Sequence, residues 1–244
     1  FSFAVFLTYW IGSFGALYYP IVTGYLQKNK VAMVSELYIS VSRLIFALSL
    51  PLFLVLVLFP GQILSLFFKP EYGAGSAAMV ILSFGMMASV AFGPTNQTLQ
   101  VFSKTRQIFY IRLFVVILNV VLNIILIQFM GINGVAIATA LSLVIQQILF
   151  INLIRKLMRL SFRVLAYIKF IFSGIIAMGM IYLVKMFIPI NNIFVLFLLG
   201  SLVFIAYIAL LILFRSFTDE DRMLLRSIEE RFGIRNSIIE KVIR

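Results

Sequence analysis

The chain has 244 residues, 63% of them hydrophobic and only 11% charged, with a formal net charge of +12. An average soluble domain is about 25% charged, so this composition excludes a soluble globular domain and specifies a polytopic membrane protein. With no Cys and no His, disulfides, thiolate chemistry and the usual zinc sites are excluded as well.

Seven apolar spans, lettered a to g, follow in chain order, each close to the ~20 residues that cross a ~30 Å hydrocarbon core as a helix. Span a covers about 1–26 and stops before Gln27-Lys28-Asn29-Lys30. The first residue, Phe1, lies inside this run, so the chain reads as the later part of something longer. Span b covers about 37–59 with Pro51 in its middle. The next stretch, Gly61–Gly75, is too short to cross and predicts an interfacial turn of helix followed by a Gly-rich turn. Span c covers about 76–101, interrupted by Gly93-Pro94. Spans d (108–128) and e (132–154) form a hairpin over the turn Gly131–Gly134. Spans f (166–188) and g (192–214) complete the set. The tail 215–244 starts with a capping-box-like Thr218…Asp221 and predicts an amphipathic helix on the cytoplasmic surface.

The charges alternate from loop to loop. Lys28, Lys30, Arg43, Lys104, Arg106, Arg112, Arg155, Lys156, Arg159, Arg163 and Lys169 fall on one side, and Lys69 and Lys185 on the other. The positive-inside rule makes the richer side cytoplasmic and places the C-terminus there, in a multi-pass cell-membrane protein. The basic residues also suit anionic lipid headgroups as neighbours. They flank apolar spans and build no separate basic domain, so a nucleic-acid partner is excluded.

The polar residues inside the spans are the functional clue. In span d, Arg112, Asn119 and Asn123 recur at spacings of seven and four, within a narrow arc of one helix face. Charged groups at depth are costly and face a cavity or a partner, unless they snorkel to the surface as Arg112 could. Asn119 and Asn123 read equally as cavity lining or as bonds between helices. In span c, Asn96 and Gln100 share a face just beyond Gly93-Pro94, a pair read either as a structural kink or as a hinge. Arg43 lies one to two turns into span b and, with Arg112, Lys104 and Arg106, could line a basic vestibule. Gly134, Ala138 and Ser142 in span e form a small-residue packing stripe, and Gln146 and Gln147 are candidates for hydrogen bonds between helices. No Asp or Glu lies deep in a span. That balance favours an anionic cargo, because the Arg fork suits phosphate. No Gly-rich nucleotide loop, metal cluster, or nucleophile with a base is present, so neither an enzyme nor a cofactor is expected.

The hairpin carries a resemblance. Leu118-Asn119, Leu122-Asn123, Leu126-Ile127 and Gly131-Ile132-Asn133-Gly134-Val135-Ala136-Ile137-Ala138-Thr139 set its pattern, with Leu48-Ser49-Leu50-Pro51-Leu52 and Ile63-Leu64-Ser65-Leu66-Phe67-Phe68 upstream. Over roughly 1–190 the chain resembles the polysaccharide-flippase branch of the multidrug/oligosaccharidyl-lipid/polysaccharide exporter superfamily. The family often has Pro at Gln128 and Ala at Val135, departures that touch the turn and packing. The resemblance implies an all-α fold: a MATE-like second bundle over 1–160 and two additional helices over 161–214, followed by the tail. It implies alternating-access translocation of a polyprenyl-linked saccharide, with glycan-assembly machinery as a partner. Arg112, Arg43, Asn119, Asn123, Asn96 and Gln100 would line the cavity, and Gly93 and Pro94 would form the hinge. The alternatives are a drug/cation antiporter of the same superfamily and a non-transporting membrane subunit of polysaccharide assembly.

Overall fold

The computed structural model describes residues 2–160, 164–187 and 192–214. Every regular element among them is helical. These are α1 Ser2–Val5, α2 Tyr9–Gln27, α3 Val31–Leu58, α4 Pro60–Phe67, α5 Ser76–Ala91, α6 Thr95–Val101, α7 Thr105–Leu157, α8 Val164–Phe187 and α9 Ile193–Leu213, with 3-10 turns at Phe6–Thr8 and Pro70–Gly75. Six stretches are long and apolar enough to cross a membrane. One of them, α7, has 53 residues, about 80 Å of helix at 1.5 Å per residue. It folds back once, so the described residues offer seven helical stretches long and apolar enough to cross.

Gly131 is where it folds. Its φ of 53° and ψ of −132° are the one non-helical pair inside α7, a backbone region that glycine enters without a Cβ clash. The limbs on either side, 105–130 and 132–157, run antiparallel. Gly134 abuts the Leu126 carbonyl so closely that a Cβ would lie 2.1 Å from its oxygen. Asn119 Nδ2 donates across the pair to Ser142 Oγ at 3.3 Å. The expected turn over Gly131–Gly134 is therefore narrower: helix resumes at once after Gly131. Gly134, Ala138 and Ser142 are all buried, as the packing stripe requires.

Helix α3 is the axis of the bundle. It packs against α2 and α5 and also against α8 and α9, and its buried residues run from Val34 to Leu58. A helix buried on all sides is mostly apolar on all sides, and the polar groups it does bury are small serines, Tyr38 and Arg43. The helix starts at Val31, so the loop expected over 28–36 contracts to Lys28–Lys30, closed by Asn29 at φ 55°. Nothing in Val31–Glu36 breaks a helix. At the other end, Lys185 Nζ donates to the Leu58 carbonyl at 2.7 Å and lies 5.2 Å from the Phe59 ring centroid. One long side chain from α8 thus caps α3, where carbonyls lack intrahelical partners.

The short outer segment folds as expected, with α4 followed by the 3-10 turn Pro70–Gly75. Phe67, Phe68 and Tyr72 of this segment are exposed. Span c differs from its expectation: it is interrupted, not merely bent. Helix α5 ends at Ala91, Gly93 takes φ 66°, and α6 begins at Thr95.

The basic residues gather at one end. Antiparallel limbs put Lys104 and Arg106 beside Arg155 and Lys156. Ser35 Oγ donates to the Arg159 carbonyl, which brings the start of α3, and with it Lys28 and Lys30, to that same end. Lys185 and Leu58 mark the other. Arg163 and the amphipathic tail expected over 215–244 lie outside the described residues.

Candidate functional site

Two tyrosine hydroxyls meet where α5 breaks, with Ser42 beside them, and the break explains them. Pro94 lacks an N–H, and Gly93 turns the chain away, so the last carbonyls of α5 lose their intrahelical donors. Side chains from other helices supply donors instead. Tyr38 of α3 donates its hydroxyl to the Phe92 carbonyl, while Ser42 Oγ, which donates to the Tyr38 carbonyl at 2.7 Å, lies 3.4 Å from the same oxygen. Tyr167 of α8 donates to the Ala91 carbonyl at 3.3 Å. Inside a bilayer each unpaired backbone group would cost several kcal/mol, so these hydroxyls hold the break open. Sequence reasoning missed them. Their signal was Tyr38 and Ser42 at i, i+4 on one face of α3.

Beyond the break, α6 is tied on two sides. Thr95 Oγ1 donates to Gln147 Oε1 at 3.0 Å, and Tyr18 of α2 shares a 2.9 Å hydrogen bond with Thr98 Oγ1. Gln147 thus serves as a bond between helices. Thr95→Val should destabilise the detergent-solubilised protein by about 1–3 kcal/mol, because it strands a buried acceptor. Adding Gln147→Leu should recover part of that loss. Thermal unfolding of the two singles and the double measures it, and strictly additive effects would show that the pair is not coupled.

The sequence-predicted site residues divide into three places. Arg112 is exposed on the first limb of α7, and its Nη2 donates to Asn96 Oδ1 of α6 at 3.1 Å. Gln100, one turn further along α6, is exposed. These three form one continuous polar patch. Asn119 and Asn123 turn away from it. Asn123 Nδ2 donates to Asn119 Oδ1 at 3.0 Å, and Asn119 passes the chain to Ser142 at 3.3 Å. Both are half-buried within the hairpin, and Asn123 Oδ1 has no hydrogen-bond partner among the described residues. Arg43 is 0% exposed, sealed inside the bundle. Arg106 lies alongside Tyr110, 5.7 Å from its ring centroid. Gly93 and Pro94 are buried at the break.

The patch around Arg112 extends onto α2. Gly15 of α2 meets the Gln97 side chain, and Tyr18 meets Thr98, so α2, α6 and the first limb of α7 stand side by side. Exposed polar groups on these three helices include Tyr9, Ser13 and Tyr19 on α2, Gln100 on α6 and Arg112 on α7, set among exposed apolar side chains such as Leu113 and Phe114. The outward faces of α8 and α9 are mostly apolar, presenting Ile168, Ile171, Phe172, Phe197 and Ile205, with Tyr182 and Ser201 as exposed polar exceptions. Such faces suit lipid tails, whereas the polar side suits water or a polar ligand.

Comparison with known proteins fits this arrangement. Two curated archaeal relatives are similar to the chain. An uncharacterized membrane protein of Methanocaldococcus jannaschii is 29% identical over 206 residues, covering 83% of this chain and 40% of the relative. The probable low-salt glycan biosynthesis flippase Agl15 of Haloferax volcanii is 23% identical over 180 residues, covering 74% of this chain and 38% of the relative. The chain therefore spans about two fifths of the length of these relatives. The MatE family matches residues 1–125, which run from α1 into the first limb of the hairpin and include the break, Asn96 and Arg112. On that match over half its length, this multi-pass membrane chain belongs to the MatE family.

Proposed function

We propose that the chain is part of a flippase that translocates a lipid-linked oligosaccharide across the cytoplasmic membrane by alternating access. The observation that carries this reading is the polar side built by α2, α6 and α7, with Arg112 exposed on it and steadied by Asn96. In a membrane protein such a side lines a water-filled cavity, and its fixed positive group suits a phosphate or pyrophosphate. The likeness to a protein named as a glycan biosynthesis flippase points the same way. The only carboxylates among the described residues, Glu36 and Glu71, are exposed near helix ends, which disfavours a cation antiporter. On this reading 1–160 is a second transmembrane bundle, 161–214 adds two helices, and the rest of the cavity belongs to chain beyond this one. A direct test is translocation of a labelled lipid-linked saccharide by the full-length protein in vesicles. No translocation above protein-free vesicles would sink the proposal.

The same reading fixes an orientation. The basic end, with Lys28, Lys30, Lys104 and Arg106, is cytoplasmic. Leu160→Cys in a cysteine-free background should react with a membrane-impermeant thiol reagent only after cells are opened. Labelling of intact cells would reverse the assignment.

A further inference from the structure

We infer that the uncovered face of α2 is a carbohydrate-binding wall, taking the sugar rings of a cargo whose phosphate lies at Arg112. The inference rests on the flippase reading above and adds where the saccharide goes. Tyr9 is 61% exposed and Tyr19 42%. Neither phenol has a hydrogen-bond partner among the described residues. Tyr19 stands eight residues before Gln27, about 12 Å along the helix, more than two turns in from the end at which an interfacial belt would lie. A lipid-facing hydroxyl there would go unsatisfied.

Ser13 and Thr23 belong to the same side of α2. Their hydroxyls donate to the Tyr9 and Tyr19 carbonyls at 3.2 and 2.9 Å, which satisfies the protons and leaves oxygen lone pairs to accept from a ligand. Gly12 opens the space beside them: a Cβ there would meet nothing within 4 Å. An open glycine in the middle of a helix costs about 1 kcal/mol relative to Ala, and no packing contact explains it. Rings with hydroxyl tips, acceptor oxygens and free volume in one row match a pyranose. Such a sugar has apolar C–H faces and a rim of hydroxyls. Gly15 against Gln97 joins this row to α6. From α6, Asn96 reaches Arg112, so a sugar attached to a phosphate at Arg112 would extend along α2.

The test compares two probes on the full-length protein in detergent: a bare polyprenyl pyrophosphate, and the same carrier bearing one hexosamine. Wild type should bind the sugar-bearing probe about tenfold more tightly, as two or so added hydrogen bonds imply. Tyr19→Ala and Gly12→Phe should each erase that preference while leaving bare-carrier affinity and melting temperature unchanged. Equal affinities in wild type, or a preference that survives both variants, would overturn the inference. So would loss of both probes in the variants, which would mean that α2 packs against the remainder of the longer protein. The flippase reading is judged separately by Arg112→Ala, which should weaken both probes alike. If it weakens neither, the phosphate site fails, whatever α2 does.

Discussion

Replacing Arg112 with alanine should cut translocation of a lipid-linked saccharide by tenfold or more, with membrane insertion and folding preserved. Among the described residues Arg112 has one polar partner, Asn96 Oδ1 at 3.1 Å. A guanidinium has five N–H donors, so most of its fork remains free for a ligand. A charge-assisted hydrogen bond to phosphate contributes roughly 1.5–3 kcal/mol, and about 1.4 kcal/mol is a factor of ten in affinity. The side chain is exposed and leaves no cavity when truncated, so stability should change little. Arg112→Lys should rescue only partly, because an ammonium lacks the planar fork. Asn96→Ala should have a smaller effect than Arg112→Ala, since it loosens the Arg without removing the charge. Rates measured in vesicles decide the matter. A wild-type rate in Arg112→Ala would mean that the side chain only snorkels to the surface, and the phosphate site would have to lie elsewhere.

The membrane spans were legible because hydrophobic length and loop charge are local properties of the sequence. Span b is one long apolar run, and it became the buried axis of the bundle. Gly131 was legible as a turn because it interrupts an apolar run that is twice too long to cross. The partners of polar groups were legible only where the fold-back register was already implied. Asn119 and Arg112 share a helical face by spacing, yet they bond to different helices. The reversal at Gly131 places Asn119 opposite Ser142, while Arg112 lies beyond that contact and beside α6. Both halves of the Asn119–Ser142 bond had been marked, one as a polar stripe and one as a packing stripe. Pairing them needed only a count outward from Gly131. No such count leads from Tyr38 to Phe92 or from Tyr167 to Ala91. Those bonds join α3 and α8 to a break in α5, and helix packing order is not encoded in periodicity. Arg43 shows the converse limit: its position in the sequence gives its depth, but not that it is sealed inside the bundle.

The break itself yields the second large effect, on stability. Gly93→Ala should lower stability by several kcal/mol and reduce the yield of folded protein. Two costs add. A residue with a Cβ pays about 1–2 kcal/mol in the left-handed region, where Gly93 sits at φ 66°. Its Cβ would also lie 2.1 Å from Ser42 Oγ and 2.8 Å from Ser42 Cα. The first contact could be relieved by a rotamer change, but the second demands that α3 and the break move apart, an overpacking cost of roughly 1–3 kcal/mol. Pro94→Ala should do far less, because restoring one N–H cannot close a helix that Gly93 has already turned and two tyrosine hydroxyls hold open. The hydroxyls are also where motion can be tested. If the break works as a pivot during alternating access, Tyr38→Phe removes the principal donor to the Phe92 carbonyl and should shift the balance between states. Spin labels on the Lys28–Lys30 turn and at Ser103 would then show a broadened or displaced distance distribution, with slower transport. Distances and rates unchanged from wild type in Tyr38→Phe, alongside a destabilised Gly93→Ala, would make the break a fixed strut that only positions Asn96 for Arg112.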